Sequence, residues 1–147
     1  MTNDNINLSN FDTENVVNIK DMFSGCENLI KVDLSSFNIK NVLYMTQMFY
    51  GCKHIISLNL SNFNANNITS MRGMFYQCEA LYYLDISNLN INNSIDIDYI
   101  FHGCINLTKI KLSNINTHNL ISNIFYNCAN TPKIYFSYIK YEGNNDI

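Results

Sequence analysis

The chain has 147 residues, a formal net charge of −3 and 47% hydrophobic residues, which suits one folded unit able to bury a core. So mild a negative charge argues against the basic face of a nucleic-acid binder, and no apolar run approaches the ~18 residues of a membrane span. The polar start MTNDNINLSN is not a secretory leader, and collagen, coiled coil and disulfide miniprotein are excluded as well.

Past polar residues 1–5, the first element is the apolar-x-apolar-Ser unit Ile6-Asn7-Leu8-Ser9. It recurs as Val32-Asp33-Leu34-Ser35, Leu58-Asn59-Leu60-Ser61, Leu84-Asp85-Ile86-Ser87, Ile110-Lys111-Leu112-Ser113 and Ile134-Tyr135-Phe136-Ser137. Alternation with period two predicts a short strand with one inward face. Three residues past each last apolar position stands Phe11, Phe37, Phe63, Leu89, Ile115 or Ile139.

Downstream, Val42, Met45, Met48, Phe49 and Cys52 are spaced 3, 3, 1 and 3 apart, as are Ile68, Met71, Met74, Phe75 and Cys78. That spacing predicts two to three helical turns per copy, with Asn41 and Asn67 as N-caps. The residue before each Cys (Gly25, Gly51, Gln77, Gly103 or Asn127) is placed to stop the helix, with Gln77 departing from the pattern.

The columns are in phase along the whole chain. Cys26, Cys52, Cys78, Cys104 and Cys128 are spaced 26, 26, 26 and 24 apart, and Phe23, Phe49, Phe75, Phe101 and Phe125 each precede a Cys by three. Before each Phe stands Met22, Met48, Met74, Ile100 or Ile124, and Leu29, Ile55, Leu81 and Leu107 follow the first four Cys by three. An odd number of evenly spaced cysteines is a repeat, not a disulfide framework. The expected fold is α/β: a single right-handed solenoid over 1–147, with about five 26-residue turns that each carry a short parallel strand and a short helix. The copies run over about 6–31, 32–57, 58–83, 84–109 and 110–139, with polar tails at 1–5 and 141–147. The last copy lacks two residues between Leu112 and Phe125, so its helix should be shorter or irregular.

The recurring string M-F-x-G-C-x-x-L-x-x-L-x-L-S-x-F-N-x-x-N-V resembles the BspA-like leucine-rich-repeat family. Met48-Phe49-Tyr50-Gly51-Cys52, continued through Leu58, Leu60, Ser61, Phe63, Asn64, Asn67 and Ile68, is a good copy of it. The resemblance covers residues 6 to about 139. It implies a leucine-rich-repeat solenoid used for adhesion and protein binding on cell surfaces, with no catalytic residues and no cofactor. The chain departs from the family pattern in showing no export signal, lipid-attachment Cys or anchoring segment, so a cytoplasmic location also stands open.

The Phe and Cys columns, Phe23/Cys26 through Phe125/Cys128, are expected to be a core ladder of free thiols, and the Met column is core with them. His54, His102 and His118 fall at different positions in their copies, which sets no metal site. Asp96 and Asp98, near Asn92 and Asn93, lack the Gly and terminal Glu of a calcium loop. The Ser column (Ser9 to Ser137) and Asn38, Asn64, Asn90 and Asn116 are expected to hold the turning backbone and bond from copy to copy.

Packing does not dictate the outward strand positions. They read Lys31/Asp33, Ser57/Asn59, Tyr83/Asp85, Lys109/Lys111 and Lys133/Tyr135. Tyr83, Asp85, Lys109, Lys111, Lys133 and Tyr135 are therefore the candidate partner-binding residues, facing a protein partner rather than nucleic acid or a bilayer. The leading expectation is a non-enzymatic protein-binding module in adhesion. The alternatives are a structural spacer that associates end to end or stacks on flanking repeats, and an intracellular receptor or inhibitor module.

Overall fold

The computed structural model describes residues 5–6, 8–89, 91, 95–113, 124–129 and 132–137. Asn90, Asn92, Asn93, Ile115, Asn116, His118, Ile139 and the tail 141–147 lie outside that set. One short strand stands at the same place in each copy: β1 (Asn5–Ile6), β2 (Lys31–Val32), β3 (Ser57–Leu58), β4 (Tyr83–Ile86), β5 (Lys109–Ser113) and β6 (Lys133–Ser137). All pair in parallel, β1 with β2 in one sheet and β3-β4-β5-β6 in another. Asn5 faces Lys31, Ser57 faces Tyr83, Tyr83 faces Lys109 and Lys109 faces Lys133. The register thus follows the 26-residue period, and the two-residue deletion leaves β5 and β6 paired at an offset of 24.

The strands exist because one face of each is apolar. Val32, Leu58, Leu84 and Ile110 are buried, with Leu34, Leu60, Ile86 and Leu112 behind them, while Lys31, Ser57, Tyr83 and Lys109 are exposed. A strand of two to five residues cannot hold its pairing alone, so stability comes from the apolar layer that all copies share. A second, thinner ladder of parallel bridges joins Asn18, Tyr44, Ser70 and Asp96 on another side of the stack.

The helix expected over Val42–Cys52 and Ile68–Cys78 does not form, and among the described residues only Ile124 is helical. An α-helix uses its N–H groups on carbonyls four residues back in its own chain. Here they alternate between two destinations. The amides of Met48, Tyr50 and Cys52 close three-residue turns onto Met45, Gln47 and Phe49. Those of Met45, Gln47, Phe49 and Gly51 instead donate to Ser70, Arg72, Met74 and Tyr76 of the next copy, at 2.8–2.9 Å. The chain resets its direction at two left-handed positions per copy, Asp21, Gln47, Gly73 and Tyr99 in one column and Gly25, Gly51, Gln77, Gly103 and Asn127 in the other. Three-residue turns joined in this way bring residues spaced 3, 3, 1 and 3 inward, the same spacing a helix would give. Asn41 accordingly caps nothing; its Nδ2 donates to the Glu14 carbonyl one copy earlier, at 2.8 Å.

Gly103 shows what that geometry costs. Its φ is +75°, and a Cβ built there would lie 3.1 Å from Gln77 Cγ and 3.5 Å from Gln77 Cα. Gly25 has the same backbone (φ +74°) with nothing within 4 Å of such a Cβ. Gly25→Ala should therefore lose about 1 kcal/mol from the left-handed penalty alone, and Gly103→Ala about 2 kcal/mol or more. Urea unfolding of the two variants checks this, and equal losses would mean that the Gln77 contact is inconsequential.

The core is a set of files running along the stack. Phe23, Phe49, Phe75, Phe101 and Phe125 stack ring on ring, with centroids 5.2–5.8 Å apart and planes within 11°. Met45, Met48, Met71 and Met74 are fully buried beside them, whereas Met22, in the first copy, is exposed. The cysteines are all free thiols, with Cys52, Cys78 and Cys104 buried and Cys26 and Cys128 half-buried. They do more than fill space. The thiols of Cys52, Cys78, Cys104 and Cys128 donate to the carbonyls of Phe23, Phe49, Phe75 and Phe101 one copy earlier, at 3.0–3.2 Å. Burial pushes the Cys52 thiol up to about 12 and holds Cys78 and Cys104 well above the ordinary value, which keeps them protonated and able to donate.

Candidate functional site

The parallel register gathers the six outward residues of β4–β6 into two columns on one face. Tyr83, Lys109 and Lys133 form the first, and Asp85, Lys111 and Tyr135 the second. All six are exposed or half-exposed, Tyr83 at 42% and Tyr135 at 50%. Strand alternation puts both columns on the side away from the Leu84, Ile86, Ile110 and Leu112 layer.

Within this set Asp85 has a structural duty as well. Its Oδ1 accepts the backbone N–H of Ser87 at 3.0 Å and the Ser87 hydroxyl at 2.6 Å. Asp33 and Asn59 accept from the Ser35 and Ser61 amides in the same way, so this column closes an Asx turn after β2, β3 and β4. Partial burial pushes the Asp85 carboxyl up, but the Ser87 bonds and the Lys111 ammonium at 3.2 Å outweigh it and hold the group below its ordinary value. Lys111 stands where earlier copies have a turn-closing acid or amide, and it reaches back to Asp85 instead.

Ser35, Ser61 and Ser87 therefore donate their amides back to the strand end, and the copy-to-copy bonds come from the next residue. Ser36 donates to the Leu8 carbonyl, Asn62 to those of Leu34 and Phe37, and Asn88 to that of Ser61. Asn38 holds a local turn, its Oδ1 accepting from the Lys40 amide at 3.2 Å. A concavity of about 390 Å³ opens beside the outward columns, its polar lining being Asn59, Ser61, Tyr83, Asp85, Ser87, Asn88 and Lys111. The sequence singled out Tyr83, Asp85 and Lys111 as candidates; Asn88 was missed, although its column repeats a small polar residue at 36, 62 and 88.

A further column is not apparent from the repeat pattern. Tyr50, Tyr76, His102 and Tyr126, each one residue past a core Phe, stack with centroids 4.5–5.3 Å apart. Tyr99 meets His102 edge-on, and the Arg72 guanidinium lies 5.1 Å from the Tyr99 centroid. His102 Nδ1 is buried with no hydrogen-bond partner among the described residues. His54 is elsewhere, its Nδ1 2.8 Å from the Glu27 carbonyl, so the structure does not bring these two histidines together. Asp96 and Asp98 face Arg72, at 3.9 and 2.9 Å. Among the described residues no group of three His, Cys, Asp or Glu side chains is placed to hold a metal ion, and no helix is long and apolar enough to cross a membrane.

No curated protein and no solved structure matches the chain significantly. One family profile matches it twice, over residues 1–79 and 53–135, and the two overlapping matches together span nearly all of the repeat array. The chain, with its stacked 26-residue copies, belongs to the family described as Mycoplasma protein of unknown function, DUF285.

Proposed function

We propose that the chain is a non-enzymatic protein-binding module, built as a leucine-rich-repeat solenoid and acting in adhesion at a cell surface. BspA-like proteins are related to the matched family, which supports the repeat assignment. The observation that carries the binding reading is the outward face of β4–β6. There Tyr83, Lys109 and Lys133 and Asp85, Lys111 and Tyr135 stand in two aligned columns beside a polar concavity. Tyrosine among charged groups on a rigid sheet is interface composition, and a sheet face is where repeat arrays dock partners.

The test is attachment. Beads carrying the chain should bind cultured animal cells above the level of uncoated beads. Alanine at Tyr83, Lys111 and Tyr135 together should cut that attachment about tenfold while leaving the far-UV spectrum and melting point in place. Wild-type beads that attach no better than uncoated ones would sink the adhesion reading. Undiminished attachment by the folded triple variant would remove this face from it.

A second reading, a spacer segment of a longer array, draws on the backbone ladder. Alternate amides over residues 19–25, 45–51 and 71–77, and those of Phe101 and Gly103, bond the following copy, a pattern that stacks identical units without any ligand. Concentration-dependent growth of end-to-end oligomers in sedimentation experiments would favour it.

A further inference from the structure

The basic residues divide into two sets. Lys40 pairs with Glu14 at 3.2 Å, Lys53 with Glu27 at 2.9 Å, Arg72 with Asp98 at 2.9 Å and Lys111 with Asp85 at 3.2 Å. Each of these pairs joins one copy to the next at a separation of 26 residues. Lys20 meets its neighbour Asp21 at 3.7 Å. Among the described residues Lys31, Lys109 and Lys133 have no ion pair, and each is the first residue of its strand, Lys31 in the β1-β2 sheet and Lys109 and Lys133 in the four-stranded one.

Lys109 and Lys133 are moreover direct register partners on β5 and β6. Like charges placed opposite one another on neighbouring strands repel. Acids pair with Lys20, Lys40, Lys53, Arg72 and Lys111, and among the described residues this pair has no acid partner. The adjoining positions on the same face are Tyr83 and Tyr135, both exposed, and the concavity with Ser61, Asn88 and Lys111 opens beside them.

From these observations we infer that the outward face of β4–β6 docks an acidic, extended segment of a protein partner, its carboxylates held between Lys109 and Lys133 and its backbone lying against Tyr83 and Tyr135. The inference rests on the binding role proposed for this face and names the chemistry of the partner. An extended segment presents side chains on one side about 6.8 Å apart, a spacing that two flexible ammonium stems on adjacent strands can span. Nucleic acid fits less well, because its binders neutralise many phosphates and this face offers few cations on a negatively charged body. A bilayer fits less well too, since the face has no large apolar side chain beyond its tyrosines.

The experiment uses the whole chain and a fluorescein-labelled peptide of ten glutamates, with a ten-nucleotide oligothymidylate and phosphatidylserine-containing vesicles as parallel probes. Lys109→Gln with Lys133→Gln should weaken glutamate-peptide binding about fivefold or more, and raising the salt should weaken wild-type binding. Lys40→Gln with Lys53→Gln makes the same change in net charge away from this face and should leave binding within about twofold. Lys109→Arg with Lys133→Arg should restore it. Absence of glutamate-peptide binding, equal losses in the two glutamine pairs, or tighter lysine-dependent binding of the oligonucleotide or vesicles would overturn the inference. If the glutamate peptide fails while alanine at Tyr83, Lys111 and Tyr135 still abolishes cell attachment, the acidic partner is wrong and the docking face stands.

Discussion

Phe75→Ala is expected to remove about 3–5 kcal/mol of folding stability, against a total of roughly 5–15 kcal/mol for a domain of this size. Phe75 is fully buried and lies between two rings, 5.8 Å from Phe49 and 5.7 Å from Phe101. Truncation removes its own buried surface, opens a cavity between two copies and ends two stacking contacts, each worth about 0.5–1.5 kcal/mol beyond area. Phe23 has, among the described residues, a single stacking partner, Phe49, and sits in the first copy. Phe23→Ala should accordingly cost about 1 kcal/mol less than Phe75→Ala. Urea unfolding followed by circular dichroism reads both. Equal losses at the two positions, or a loss below about 1 kcal/mol at Phe75, would show that the file is not what couples the copies.

That coupling is also what made part of the fold legible in the sequence. A repeat writes each packing position several times, so Phe49, Phe75 and Phe101 identify one another as core, and Val32, Leu58 and Leu84 identify the strand. The strand positions and their 26-residue register follow directly. The intervening segment did not follow, because spacing alone cannot separate a helix from three-residue turns joined by left-handed residues. The distinguishing signal was Gly73, which stands inside the expected helical run Ile68–Cys78 and has φ +58°. In the equivalent places Asp21, Gln47 and Tyr99 adopt the same backbone without a glycine to announce it, so the column could not be recognised by composition.

The outward face was legible for the opposite reason. Its columns vary from copy to copy, and residues that packing does not dictate are the ones free to differ. The sequence could not show that Asp85 closes an Asx turn, since this depends on the Ser87 amide turning back toward it after the strand. Nor could it show that Lys40, Lys53 and Lys111 are neutralised, because their partners lie one copy away in space. The chain holds 27 asparagines, and some have the same kind of explanation: Asn41, Asn62, Asn88 and Asn106 each donate to a backbone carbonyl of the preceding copy. A side-chain amide at such a place supplies a further donor to a carbonyl of the neighbouring copy.

The thiol file makes the fold sensitive to alkali, and the sign can be worked out from burial. Cys78 and Cys104 are fully buried, and desolvation is the main reason their thiols titrate far above the ordinary value of 9.0. Below pH 9 both the folded and the unfolded chain carry these protons, so the thiol bonds to Phe49 and Phe75 contribute in full. Above pH 9 the unfolded chain releases the protons while the folded chain retains them, so the unfolded state is favoured as pH rises. The slope for each such thiol approaches about 1.4 kcal/mol per pH unit, a loss that continues until the pH reaches the folded-state value. Stability should therefore be set below pH 9 and fall steeply between pH 9 and 11. Cys78→Ala removes one of these titrations, at the cost of the bond to the Phe49 carbonyl. It should be less stable than the wild type at pH 7 by about 1–2 kcal/mol, yet lose stability more gently above pH 9 by about 1.4 kcal/mol per pH unit. Urea midpoints collected from pH 7 to 11 on both chains measure the difference, in which every other titrating group cancels. Parallel pH profiles would mean that Cys78 ionises as readily in the folded chain as in the unfolded one, and rapid alkylation of native Cys78 at pH 8 would mean the same.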